Sequence, residues 1–375
     1  MILTVFVFFI ILSILVLVHE LGHFVAAKRL GIKVEEFGFG LPPRIWGIKK
    51  GETMYSINWL PIGGFVKLYG EDREEENSKV KGQSSKLSDR AFYARPPWQR
   101  AIILVAGVTM NFILAIVVIS YLFTQGVMVP VDRVHIDKVV AGSPADQAGL
   151  KEKDIVKKLK IPFGNAQGRQ NTKVKTEEIE IKNGETLVNK TKEHLGQQIS
   201  LIIVRNGQEM EVMLIPRKDY PKDQGPLGIV ISNYEEKKYP LAQAPILGLK
   251  ESFKLSWELL KGIGTTLFKL VTFQSVSKDI AGPVGIAQMT GQAIKFGQSA
   301  VLELMGLLSL NLAIVNILPF PALDGGRLLF VVIEATTGKK IRAQWERYAH
   351  QVGMAILLAL IVLVTLNDLV RIFSK

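Results

Sequence analysis

His19, Glu20 and His23 stand in the stretch VLVHELGHFV, residues 16 to 25, at the end of an apolar run. On a helix, histidines four apart put both imidazoles on one face about a turn from each other, while Glu20 points to the side of that face. This is the spacing H-E-x-x-H, in which two histidines hold zinc and the glutamate serves as general base. From Met1 to Val18 there is no charged side chain, and only Thr4 and Ser13 carry a hydroxyl. At about 1.5 Å rise per residue such a run nearly crosses a hydrocarbon core roughly 30 Å thick. The three ionisable groups therefore arrive at membrane depth, where their cost makes function the default reading. A cleaved signal peptide is one bland alternative, because VAA at 25 to 27 offers small residues. The run lacks a basic n-region, however, and is longer than a signal peptide needs. Satisfied core histidines of a helix bundle are the other, against which Glu20 between them argues.

Catalytic zinc typically has three protein ligands and one open position for water. The chain contains no cysteine, so disulfides, thiol nucleophiles and thiolate ligands are excluded and the third ligand must be a histidine or a carboxylate. The apolar stretch VLELMGLLSLNLAIVNILPFPALDGGRLLF reaches Asp324, an acid placed where acids are expensive. Asn311 and Asn316 lie in the same segment, and Pro319 and Pro321 break the helix just before Asp324. Broken helices are tolerated at that depth only where their freed backbone groups line a site. Asp324 is the expected third ligand and His350 its main rival. His135 and His194 lie far along the chain from the apolar runs.

With 375 residues and 48% hydrophobic content, the chain suits a membrane protein carrying a water-soluble portion, not one all-soluble domain. Apolar runs predict four spans at about 1–27, 101–124, 300–323 and 351–372. The formal charge of +12 is concentrated beside them. Lys28, Arg29 and Lys33 follow the first span, Arg95 and Arg100 precede the second, and Arg327, Lys339, Lys340, Arg342 and Arg347 lie between the last two. By the positive-inside rule these segments are cytoplasmic, which leaves both termini and residues 125–245 outside. The excess charge is topological, and no nucleic-acid partner is expected. Residues 33–69 mix aromatic and β-branched residues with turn signals and read as short hairpin strands, whose apolar tips dip into the membrane where protein shields them. The polar stretch 71–90 reads as a mobile linker. Residues 245–273, within a segment reaching 298, form an amphipathic pattern that predicts a helix on the membrane surface, with a packed soluble helix as the alternative.

Residues 125–240 read as one compact outward domain. VHIDKVVAGSPADQAGLKEKDIVKKL gives a strand, a turn, a short helix and another strand, and QQISLIIVRNGQEMEVMLIPR a hairpin around Asn206-Gly207. The GSPA and AGL segments resemble a PDZ domain, except that Glu152-Lys153 stands where a Pro-Gly pair is usual. The later GPLGIVIS, 225 to 232, looks like the carboxylate-binding loop displaced as in circularly permuted bacterial members. That resemblance implies that the N–H groups near Leu227, Gly228 and Ile229 receive the C-terminus of a peptide. The stretch 160–195 is longer and more charged than the usual PDZ linker.

HELGH in the first span, FGFG after it, the PDZ-like region and NILPFPALDGG near the end together resemble the site-2 protease family of intramembrane zinc metalloproteases, in particular the bacterial regulators of sigma-E type, over nearly the whole chain. The motif N-x-x-P-x-P-x-L-D-G is matched at Asn316, Pro319, Pro321, Leu323, Asp324 and Gly325. One PDZ-like domain stands where the best-known members of that type have two. The resemblance implies a polytopic α-helical membrane protein with four transmembrane helices, a membrane-associated β-hairpin region and an extracytoplasmic, mainly β PDZ-like domain. Its parts would be 1–124, 125–240, 245–298 and 299–375, in the bacterial inner membrane and in contact with lipid. Zn2+ would be held by His19, His23 and Asp324, with Glu20 as base. The substrate would be the transmembrane segment of a single-span protein, such as an anti-sigma factor or a signal-peptide remnant after a first cut. Asn311, Asn316, Pro319 and Pro321 would contribute to holding it, and the hairpin around Gly63, Gly64 and Phe65 would offer it an edge strand. The outward domain is expected to act as a gate obstructing bulky substrates more than as a recruiter of peptides. A zinc transporter would not need Glu20, and a PDZ scaffold with structural zinc would close the site with four protein ligands.

Overall fold

A computed structural model describes residues 2–71, 89–163, 175–221, 224–272, 274 and 281–373. Two compact units emerge, Met1–Gln125 together with Tyr239–Lys375, and Gly126–Lys238. Most of the polar stretch 71–90, expected as a linker, lies outside the described residues.

The first unit begins with helix α1, Ile2–Arg29, which ends at Gly31 (φ 75°). Ile11, Leu15, His19, His23 and Ala27 are buried at four-residue steps, so both motif histidines face protein. Strands β1, Val34–Lys50, and β2, Thr53–Leu68, then form one long antiparallel hairpin where several short strands were expected. Its register shifts repeatedly between pairs such as Gly38 with Phe65 and Trp46 with Ile57. Arg90 grips Glu52 in the turn with two hydrogen bonds of 2.8 and 2.7 Å, and Lys28 at the end of α1 adds a third of 3.0 Å. These cations hold the Glu52 carboxyl down at about 2. Helix α2 spans Pro97–Gln125.

The second unit contains β3 Val127–Val139, α3 Pro144–Gln147, β4 Ile155–Phe163, β5 Lys175–Glu180, α4 Gly184–Glu193, β6 Ile199–Arg205, β7 Gln208–Leu214 and β8 Ile229–Lys237. Its sheet runs β7-β6-β4-β3-β8, with β5 also paired to β4. Val134, Ile136, Val156, Leu159, Leu201 and Ile203 fill its core. The β6–β7 turn is Asn206-Gly207 with φ of 52° and 82°, the left-handed pair a tight hairpin demands. The part of 160–195 that is described supplies β5 and α4, whose N-cap Asn183 accepts the Thr186 N–H at 2.8 Å.

The chain returns to the first unit with α5 Ala244–Val271, α6 Pro283–Phe296, α7 Gln298–Ile317, α8 Asp324–Thr337 and α9 Ala343–Phe373. Among the described residues, four helices, α1, α2, α7 and α9, are long and apolar enough to cross a membrane. The third expected span stops short, at Ile317. Pro319 and Pro321 have no N–H to continue the ladder, residues 318–323 run outside helical geometry, and α8 starts afresh at Asp324. The segment 245–298 divides into two helices. Of these, α5 packs Leu255 and Leu259 beside Ala115 and Leu310 and exposes Ile246, Leu249, Phe253, Trp257 and Leu260 at helical spacing.

Candidate active site

Asp324 opens α8 and is aimed back at α1. A Cβ at Gly325 or Gly326 would collide with the backbone of Ile317 or Phe320, so the glycines of LDGG let the chain fold tightly on itself there. Ala322 holds a left-handed φ of 81°, unusual for a residue with a side chain, and its N–H donates to Nδ1 of His350 on α9 at 2.9 Å. Arg100 on α2 pairs with Glu334 on α8 at 2.7 Å, both buried, which ties α8 to the helix that packs on the histidines.

The result brings three donor atoms to one point. Asp324 Oδ2 lies 2.9 Å from His19 Nε2 and 3.2 Å from His23 Nε2, and the two Nε2 atoms are 3.1 Å apart. A tetrahedral zinc with bonds of about 2.0–2.2 Å sets its donors about 3.3 Å apart, so this donor set fits the metal in size as well as in chemistry. His23 Nδ1 donates to the carbonyl of Ile103 at 2.8 Å, leaving the Nε2 lone pair directed at that point. Glu20 sits beside the three, its Oε2 accepting the backbone N–H of Val66 on β2 at 3.1 Å. A cavity of about 220 Å³ opens on the group, lined by His19, Glu20, Asn111, Asn316 and Asp324 among others. A second, of about 320 Å³, reaches Glu20 and Asp324 past Phe65, Arg327 and His350.

Glycine makes this convergence possible. A Cβ at Gly22 would press into the backbone of Ala106, and one at Gly107 into the rings of His19 and His23, so α1 and α2 meet at van der Waals distance only because both residues lack side chains.

His19, Glu20, His23 and Asp324 come together, and Asn316 joins them with Nδ2 3.5 Å from His19 Nε2. Gly64 passes under α1 near the Glu20 side chain, and Phe65 lines the second cavity. Asn311 lies half-buried on α7 and is not among the residues lining either cavity, because five residues from Asn316 it faces another side of the helix. Pro319 and Pro321 shape the break before α8 without lining the cavities. His350, the rival ligand, holds the Ala322 backbone instead. Three participants went unrecognised: Asn111 on α2, the Ile103 carbonyl and the Val66 N–H. Only Asn111 carried a signal, an amide four residues after Gly107 inside an apolar span. By contrast Asp368, an acid in the last apolar helix, accepts the N–H groups of Gly282 and Gly285 at 2.9 and 2.8 Å, a structural task at the start of α6.

In the second unit, Leu187, Val188 and Thr191 of α4 face Leu227, Ile229 and Ile231 across a groove of about 420 Å³. Strand β8 is the last strand of its sheet and borders this groove. Of the three loop N–H groups, that of Gly228 is already spent: it donates to Gly225 O at 3.0 Å, closing the turn in which Gly228 adopts φ 73°.

A family model described as peptidase family M50 matches residues 7–360. Among similar proteins, the zinc metalloprotease RasP of Bacillus licheniformis is 31% identical, with 99% of each chain covered. The regulator of sigma-W protease RasP of Bacillus subtilis is 30% identical over the same share of both chains. A Clostridium perfringens relative is 34% identical, with 96% of each chain covered.

Proposed function

Because the chain belongs to peptidase family M50, we propose that His19, His23 and Asp324 hold its zinc and that Glu20 is its general base. The protein is an intramembrane zinc protease, and the observation that carries this assignment of residues is the convergence of three donor atoms on one side of an open cavity, with a carboxylate beside them. Zinc, when bound there, supplies an acidified water and polarises the scissile carbonyl. Glu20 would act as the base that takes a proton from the attacking water and passes it to the leaving nitrogen. The Val66 N–H restrains one Glu20 oxygen, which leaves the other for proton transfer. Asn316, at the cavity wall beside His19, is placed to steady the substrate backbone. A helical substrate hides its amides, and β2 around Gly63, Gly64 and Phe65 is the edge proposed to hold it extended. A transporter reading finds no use for Glu20, and a structural site would need a fourth protein ligand.

The substrate class is the transmembrane segment of a single-span protein, an anti-sigma factor or a signal-peptide remnant. The name of the Bacillus subtilis relative, a regulator of sigma-W protease, favours the former. The four apolar helices would lie in the bacterial inner membrane with the second unit outside. That unit is PDZ-like in this reading. Its open apolar groove beside an edge strand supports capture of a C-terminal peptide alongside the gating role.

The test is cleavage of a single-span peptide by purified full-length protein. A zinc chelator should block it and added zinc restore it. Glu20→Gln should keep its zinc while losing activity by about 100- to 10,000-fold, the usual worth of a positioned base. Asp324→Ala should lose zinc and activity together. Wild-type cleavage by Glu20→Gln in zinc-matched samples removes Glu20 from the mechanism.

A further inference from the structure

The wall that α2 presents to the two histidines contains an amide for which the reaction has so far no use. Ile103, Gly107 and Asn111 follow at four-residue steps and share one face of the helix. The Ile103 carbonyl accepts from His23, Gly107 leaves room for both rings, and the Asn111 carboxamide lies 3.4 Å from Nδ1 of His19. Asn111 is fully buried, and its amide oxygen has no hydrogen-bond partner among the described residues. Ser309 on α7 donates to the Asn111 backbone carbonyl at 2.7 Å, so the residue is pinned from behind. A buried, half-satisfied amide in an apolar helix is costly and calls for a role.

Both histidines present Nε2 to the same point, so both rings must carry their proton on Nδ1. His23 achieves this by donating to Ile103. We propose that Asn111 does the same for His19: its carboxamide oxygen accepts the Nδ1–H and fixes the tautomer whose Nε2 lone pair faces the metal. The oxygen and nitrogen of a carboxamide are assigned from their partners, and a half-turn about Cβ–Cγ exchanges them. With the nitrogen toward Nδ1, the ring proton would be forced onto Nε2, where it blocks coordination. With the oxygen there, the unpartnered acceptor is satisfied and the ring is poised. Helix α2 then orients both zinc-facing imidazoles, one through a backbone carbonyl and one through a side chain. Asn111 is in this account a positioning residue, and the inference rests on the zinc reading given above.

Full-length protein in detergent is titrated with zinc against a chromophoric chelator, and the absorption spectrum of Co2+ in the site is recorded. Asn111→Leu keeps the branched four-atom shape but offers no acceptor, and should weaken zinc binding by about 10- to 100-fold and change the Co2+ spectrum. Asn111→Asp can only accept, and should bind zinc no more than about threefold more weakly than wild type, as carboxylate partners of metal-bound histidines do. Melting curves without metal compare the folds. If Asn111→Leu does not fold, Asn111→Asp decides. Wild-type affinity in a folded Asn111→Leu, or a loss in Asn111→Asp of about 10-fold or more, overturns the role of Asn111 and leaves the zinc reading standing. Wild-type affinity in Asp324→Ala overturns the zinc reading and this inference with it.

Discussion

Substituting Gly107 by alanine adds one methyl group at the tightest point of the site. Its Cβ would press hardest on His23 Nε2 and would fall 2.7 Å from His23 Cε1 and 2.9 Å from His19 Cε1, against about 3.4 Å for ordinary contact. The His23 ring must therefore retreat by more than about 0.7 Å and the His19 ring by about 0.5 Å, or α2 must move away by a similar amount. Zinc ligation tolerates about 0.2 Å. The Ile103 carbonyl that holds the His23 ring sits on the same helix, so moving either ring or helix also strains that 2.8 Å hydrogen bond. Overpacking of this kind costs about 1–3 kcal/mol of stability, which the fold should survive. Zinc affinity should fall by about 100-fold or more, at or beyond the upper end for lost support around metal ligands. The assay is zinc competition with a chelator on purified protein, paired with a melting curve. Gly262→Ala on α5, where a Cβ meets nothing within 4 Å, is the control and should leave zinc binding unchanged. A folded Gly107→Ala protein with wild-type zinc affinity would refute the reasoning, because the imidazoles could not then be packed against α2 as described.

Three further outcomes follow from the same structure. His350→Ala removes the acceptor of the Ala322 N–H and should weaken zinc binding by about 10-fold through the strained turn before Asp324, measured by the same titration; unchanged affinity would mean the turn holds itself. Glu52 has its carboxyl held below the ordinary 4.5, at about 2, so its clamp on Arg90 and Lys28 contributes stability above the ordinary value and loses it as pH falls toward 2. Amide protection at residues 50–55, taken relative to the intrinsic exchange rate at each pH, should fall as the pH drops across that window, and Glu52→Gln should show low protection at all pH values in it; identical protection profiles would discount the clamp. Val188→Trp should fill the groove between α4 and β8 and abolish binding of apolar C-terminal peptides by the isolated interaction assay of fluorescence anisotropy on full-length protein, with cleavage of a peptide lacking such a tail unchanged; retained binding would place the peptide elsewhere.

Much of the site was legible because it is written in local periodicity. His19 and His23 share a face by virtue of four-residue spacing alone, four apolar runs announce four long helices, and Asn206-Gly207 announces its hairpin through backbone preference. Asp324 stood out by cost, as an acid after a proline-broken apolar run. What stayed hidden is of another kind. The Ile103 carbonyl and the Val66 N–H are backbone groups, which every residue type offers alike, so only packing selects the one that meets His23 or Glu20. Asn111 and Asn311 are both amides in apolar helices, and which of them reaches the site depends on which helix face turns inward. The α4 side of the groove lay in a charged stretch whose Leu187, Val188 and Thr191 show their purpose only opposite β8. The chain by itself determines the elements and the chemistry they carry. Tertiary structure decides which neighbour orients each reacting group, because that depends on contacts between segments far apart in sequence, such as His19 with Asp324, which no local pattern encodes.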